Sequence, residues 1–283
     1  MQALPTEFCF EARKCIDTFF QEVFKACQQN NASRIKELLR YASEPNETNL
    51  GMKLRSDYGK GATSDELTKL FFEFYNIVRK NPHVSSNPLA LCMYIKNFDK
   101  DKMSDLITNI IRQLLHKFTI AQCSLWNIPF TKTKHSIGYY WDYSNLSWKE
   151  LWDNTLEIDS RNFLLVPKEI VRSRYVFNVE SYIRQYILKN IQEEHLSKNS
   201  DMCITKEYSD GRKVLLPPTI KELYKKEVHD TVHKDYALQA SFNNENSENI
   251  FVKEILSRIS DGYGELSDTQ LDEIVYKRNK ISA

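Results

Sequence analysis

The sequence predicts a helix-rich α+β fold, with a small central sheet flanked by helices, on three observations. Apolar residues recur at three- and four-residue steps through several long segments, as in amphipathic helices. Two short continuous apolar runs, "LALCMYI" at 89–95 and "NFLLVPKEIV" at 162–171, suit buried strands. An Asp-Gly pair at 210–211 lies between two alternating segments, the strongest short-range hairpin signal.

Taken in order, residues 8–27 place Phe8, Phe10, Ile16, Phe19, Phe20 and Phe24 at mixed helical steps, so the first helix has a wide buried face. "SRIKELLRYA" is a second, short helix. Residues 43–62 hold Pro45 and three of the seven glycines among polar residues, which predicts a long loop. "TSDELTKLFFEFYNIVRK" reads as a helix opened by Thr63 or Ser64, with Glu66 placed for a capping box. The turn cluster "NPHVSSNP" precedes the first strand, and a long helix is expected from Met103 to Ala121. In the second strand Pro167 ends ladder pairing. "VESYIRQYILKNIQEEHL" is a helix, "CITKEYSDGRKVLL" the hairpin, and "PPTIKELYKKEVHDTVHKDYALQA" a helix with a Thr219/Glu222 capping box. Two further helices follow. This divides the chain into a main α/β domain at 1–200 and a hairpin with a C-terminal helical extension at 201–283.

Composition excludes several classes. Lysine plus arginine (39) and aspartate plus glutamate (38) nearly cancel, so any basic groove for nucleic acid has to be local. The six cysteines form no C-x-x-C pair and no regular framework, which argues for reduced thiols and a cytoplasmic location. No run approaches the roughly 18–20 apolar residues of a membrane span, and the first residues lack the pattern of a signal peptide, so no membrane partner is expected. Only seven glycines are present, without G-x-x-x-x-G-K-[ST] or G-x-G-x-x-G, which sets aside nucleotide-loop chemistry. Neither a serine nucleophile elbow nor a Cys-His pair supports acyl transfer.

Four constellations and one further acid–histidine pair can carry chemistry. The first crowds Asp99, Asp101 and Asp105 at the mouth of the long helix, where Asp101 and Asp105 share a side. Paired carboxylates there would hold Mg or Mn beside a phosphodiester; the competing reading is a helix start, with acids complementing the dipole and Asp101 or Ser104 as cap. The second is Lys168. Nucleases of the PD-(D/E)xK type, which are restriction-endonuclease-like in fold, set a strand lysine beside metal-binding acids, where it stabilises the phosphate. Here Val166 stands where that pattern has an acid, and a strand-end lysine more often points to solvent. The third is "HDTVH", whose His229 and His233 lie one helical turn apart, as metal ligands would, or on a solvated face. In "QEEHL", Glu194 and His195 are candidates for general acid or base, or for the end of a helix dipole. The fourth is the aromatic block "IGYYWDYSNLSWKELW", which includes Trp141 and either lines a recognition groove or plugs a core.

The segments "FDKDKMSDLITNIIRQLLHKFT", "NFLLVPKEIVR" and "YILKNIQEEHLSKNS" together resemble a bacterial family, mostly uncharacterised, associated with restriction and anti-phage defence loci. The resemblance covers about residues 90–200. Its recognisable features fall on Asp101, Lys102, Ser104, Asp105, Asn109 and Lys168. It implies antiviral defence as context, with nuclease activity or partnership with a motor or sensor protein as the role.

Two functions are therefore expected. In one, the chain is a metal-dependent nuclease: Asp99, Asp101 and Asp105 hold Mg or Mn, Lys168, Glu194 and His195 are catalytic, and Lys102, Asn109 and Trp141 contact the nucleic acid. In the other it is a non-enzymatic adaptor, binding a protein encoded nearby or a second copy through the aromatic block and the C-terminal helices.

Overall fold

The computed structural model describes residues 7–48, 64–79, 88–172, 177–243 and 247–279. It is α+β and rich in helix, as the apolar periodicities require. The strands form three separate two-stranded antiparallel sheets, β1–β2, β3–β4 and β5–β6, where the sequence suggested one central sheet. The chain divides into two compact units, each assembled from distant segments: Met1–Tyr75, Phe98–Val176 and Leu256–Ala283 in the first, Asn76–Asn97 and Phe177–Ile255 in the second.

In the first unit α1 (Glu7–Gln28) and α2 (Ala32–Leu38) precede α3 (Ser64–Val78), whose last residues, from Asn76, fall in the second unit. Thr63 and most of the 43–62 loop lie outside the described residues. Then come α4 (Lys100–Ile110) and α5 (Arg112–Leu125), the long predicted helix broken at Ile111. The aromatic block, read from sequence as a recognition groove or as the plug of a core or subunit interface, is an antiparallel hairpin whose Trp141 enters the core: β1 (His135–Asp142) pairs with β2 (Ser147–Asp153), Trp141 opposite Trp148. Their indoles meet Phe19 of α1 edge-on at 5.2 and 5.6 Å, and Tyr139 stacks on Tyr41 at 3.9 Å. These rings are the centre of the first core, and edge-to-face contact suits their quadrupoles. Trp148 Nε1 donates to Leu38 O (2.8 Å), meeting a carbonyl that the end of α2 leaves open.

The second strand expected from sequence is mostly absent. Only Arg161–Phe163 (β4) joins a ladder, with Leu156–Ile158 (β3). Beyond it Leu164 N donates to Glu47 O (2.9 Å) and Leu165 N to Thr119 Oγ1 (2.8 Å), so a loop and a side chain replace the partner strand. Lys168 opens a 3₁₀ turn, Lys168–Ile170, directly after Pro167, rather than ending a strand.

In the second unit "LALCMYI" is no strand either: Pro88–Met93 is a 3₁₀ helix. A fixed proline φ suits the first helical position, and a short apolar run fits a buried turn as well as a strand. α6 (Val179–Tyr182) and α7 (Leu188–Ser197) are joined by a π-helical turn at Ile183–Ile187. The hairpin β5 (Ile204–Glu207) with β6 (Lys213–Leu216) forms around Asp210-Gly211 as predicted. The Thr219/Glu222 capping box opens α8 (Ile220–Leu223), but a second π turn, Tyr224–Val228, and a break then separate it from α9 (His233–Asn243). α10 (Ser247–Ser260) begins in this unit and ends in the first, to which α11 (Asp268–Asn279) also belongs. Tyr182, Tyr186, Phe177 and Phe251 pack as one aromatic cluster. No helix among the described residues is long and apolar enough to cross a membrane, and all six cysteines are free.

Candidate functional site

The residues singled out in α4 lie on one stripe, and it runs further than the sequence suggested. Asp101, Asp105 and Asn109 continue at helical spacing into Arg112, His116 and Thr119 of α5, the last four of them buried. Arg112 is 5 % exposed, and its guanidinium is committed on every side. Nε donates to Tyr139 O (3.1 Å), Nη1 to Ile137 O (2.8 Å), and Nη2 to Asn109 Oδ1. Glu47 lies 3.1 Å from Nη1 as its counter-ion. The two carbonyls flank Gly138, where the β1–β2 register shifts and φ is +102°. A Cβ there would sit 3.0 Å from Arg112 Cζ, so the position requires glycine both for conformation and for space.

The rest of the stripe acts in the same way. His116 Nε2 bonds Asn154 O (2.7 Å), and Thr119 accepts Leu165 N. Asn109 Nδ2 donates to Ser43 O (2.6 Å), fastening the segment before Glu47. Short hairpins leave many backbone groups without a ladder partner, and a buried unpaired group costs about 1–3 kcal/mol. The stripe supplies those partners. From sequence, the candidates along this helix ended at Asn109.

At the outer end of the stripe carboxylates crowd. Burial raises the Asp105 pKa to about 6, and Glu44 and Asp101 push it the same way. Asp99 occupies the N-cap position of α4 through its backbone. Among the described residues no three His, Cys, Asp or Glu side chains are grouped to hold a metal ion. Lys168 is ion-paired with Asp268 at the start of α11. Glu194 and His195 belong to the second unit, where Glu194 pairs with Lys198 (3.1 Å) and His195 Nδ1 shares a hydrogen bond with Ser200 (2.7 Å). Ser200 N returns to His195 O, so this pair closes the end of α7. His229 and His233 do not act together: the helix breaks between them, and they bond Asp230 and Tyr224.

Trp141 is 1 % exposed, with Nε1 donating to Thr18 Oγ1 (3.1 Å). It forms part of the lining of a cleft of about 200 Å³, together with Glu11, Cys15, Lys117, Tyr140, Asp142 and Tyr143. The groups there are held away from neutrality. Hydrogen bonds from Lys14 and Tyr143 lower the Glu11 pKa; that from Lys149 takes Asp142 down to about 2; burial lifts the Cys15 thiol to about 11. A general acid or base is most effective with a pKa near the working pH, so none of these three is poised for proton transfer.

The chain belongs to the family described as Domain of unknown function (DUF8370), whose model matches residues 2–178 and so takes in both the stripe and the cleft. No curated protein and no solved structure matches it.

Proposed function

We propose that this member of the DUF8370 family is a non-enzymatic binding module, a cytoplasmic adaptor that docks on a larger protein through the cleft its aromatic hairpin lines. One observation carries this reading: local hydrogen bonds hold the cleft's carboxylates low and burial holds its thiol high, away from neutrality. Its size agrees, since about 200 Å³ falls below the roughly 300 Å³ at which small-molecule sites begin and admits a single side chain of a partner. A motor or sensor protein of an anti-phage system is the partner that the resemblance of the central segments implies.

The rival reading, a Mg- or Mn-dependent nuclease, has one observation in its favour: Asp105 is crowded by Glu44 and Asp101, a repulsion a divalent cation would relieve. It also needs Lys168 free of Asp268. The discriminating experiment assays the purified full chain on single- and double-stranded DNA and RNA with either metal. In parallel, a partner captured from the native host is purified and titrated against wild type and Gln113→Trp, which fills the cleft. The adaptor reading expects no cleavage and binding lost in the variant. Metal-dependent cleavage that disappears in Asp101→Ala/Asp105→Ala would overturn it.

A further inference from the structure

α5 ends in an apolar surface that the fold does not use. Leu125 is 66 % exposed, Trp126 69 %, Ile128 42 % and Phe130 39 %. These side chains are on a fastened loop. Trp126 N bonds Gln122 O (3.0 Å), Ile128 N bonds Cys123 O (2.8 Å), and Asn127 takes the left-handed conformation (φ +54°) that closes a helix. At the far end Thr131 N bonds Thr155 O (2.9 Å), and Thr155 N bonds Thr131 Oγ1 (3.0 Å). Four large exposed hydrophobes in six consecutive positions exceed the scattered exposure of ordinary surfaces.

The charge pattern indicates what covers them. There is no acidic residue between Asp105 and Asp142, although charged residues are 27 % of the chain. The exposed lysines Lys132 and Lys134 follow the loop directly, and Lys134 pairs with Asp153 (3.1 Å). Tryptophan and phenylalanine followed by lysine, in a segment of sequence without acids and with Lys132 in no ion pair among the described residues, is a composition that partitions into the interface of an anionic bilayer. Lying on a membrane and crossing one are distinct, and the lack of a spanning helix among the described residues concerns only crossing.

We propose that the Leu125–Phe130 loop is a peripheral membrane anchor, which inserts Trp126 and Phe130 among anionic lipid headgroups with Lys132 at their phosphates. This is independent of the adaptor reading, because the loop shares no residue with the cleft. The test is flotation of the full chain with phosphatidylglycerol/phosphatidylcholine vesicles and with phosphatidylcholine vesicles alone. Wild type is expected to float with the anionic vesicles and far less with the neutral ones. Trp126→Ala/Phe130→Ala should weaken binding by about tenfold or more, and Lys132→Ala by about fivefold at low salt. Circular dichroism confirms that the variants fold. Failure of wild type to float with either vesicle, or equal flotation of wild type and the double variant, overturns the proposal. So does a concentration-dependent dimer that the double variant dissolves while vesicles stay unbound, since the surface is then covered by a second copy.

Discussion

The two units bury polar groups for different purposes. In the first, Arg112, His116 and Thr119 bond backbone groups: the carbonyls of Ile137, Tyr139 and Asn154, and the amide of Leu165. In the second, buried polar side chains largely bond one another. Tyr94 and Tyr182 both reach Ser241 Oγ (3.3 and 2.8 Å), and Glu248 beside them, 1 % exposed, raises the pKa of both phenols further above that set by burial. The cause is the secondary structure. Helices satisfy their own backbone internally, whereas two-stranded hairpins do not. A unit built on hairpins needs side chains as substitute ladder partners, and α5 provides them.

This contrast is most directly broken at Arg112. Arg112→Met should cost about 3–5 kcal/mol in urea denaturation, because it strips two carbonyls and Asn109 Oδ1 of their donor and the Glu47 carboxylate of its counter-ion at once. Arg112→Lys should recover little, since an ammonium lacks the planar fork. A cost below about 1 kcal/mol would mean that water replaces the guanidinium. Next, Gly138→Ala should cost about 2–3 kcal/mol from its positive φ and its contact with the guanidinium, and less in an Arg112→Met background, a coupling that a double-mutant cycle measures. In the second unit Ser241→Ala should cost about 1–2 kcal/mol, because the two phenols can turn to other side chains.

The smallest effect is at Asp105. Its folded pKa of about 6 lies above the unsupported value of 3.8, so the folded state binds its proton more tightly. The stability from this group is therefore full below the unfolded pKa and is lost as pH rises through about 6. Acidifying from about pH 7 to 5 should stabilise wild type relative to Asp105→Asn by about 1 kcal/mol, after allowance for its partial exposure to solvent. Thermal melts at the two pH values check this.

Much of the helical structure was legible. The phenylalanine spacing located α1, Thr219 and Glu222 formed their capping box, and Asp210-Gly211 turned its hairpin. What failed was the reading of short apolar runs, because the amides of Leu164 and Leu165 donate to Glu47 and Thr119 instead of a strand. No local pattern encodes such a long-range partner. The β1–β2 hairpin was hidden because Tyr139, Tyr140 and Trp141 do not alternate with polar residues. Of the candidate site, Asp101, Asp105 and Asn109 do share a helix face; the available signal for its continuation was the polar series 109, 112, 116 and 119. Lys168 had none, since its pairing with Asp268 joins positions a hundred residues apart.

The proposal that the chain binds rather than cleaves leaves the α4–α5 stripe, its head carboxylates included, the role of organising the fold. Calorimetric titration of Mn²⁺ into the full chain at neutral pH, with Asp101→Ala/Asp105→Ala as the comparison, tests it most directly. The account predicts no saturable heat in either protein. A stoichiometric isotherm in wild type that vanishes in the folded double variant would contradict it and return the carboxylates at the head of α4 to a metal-dependent reaction.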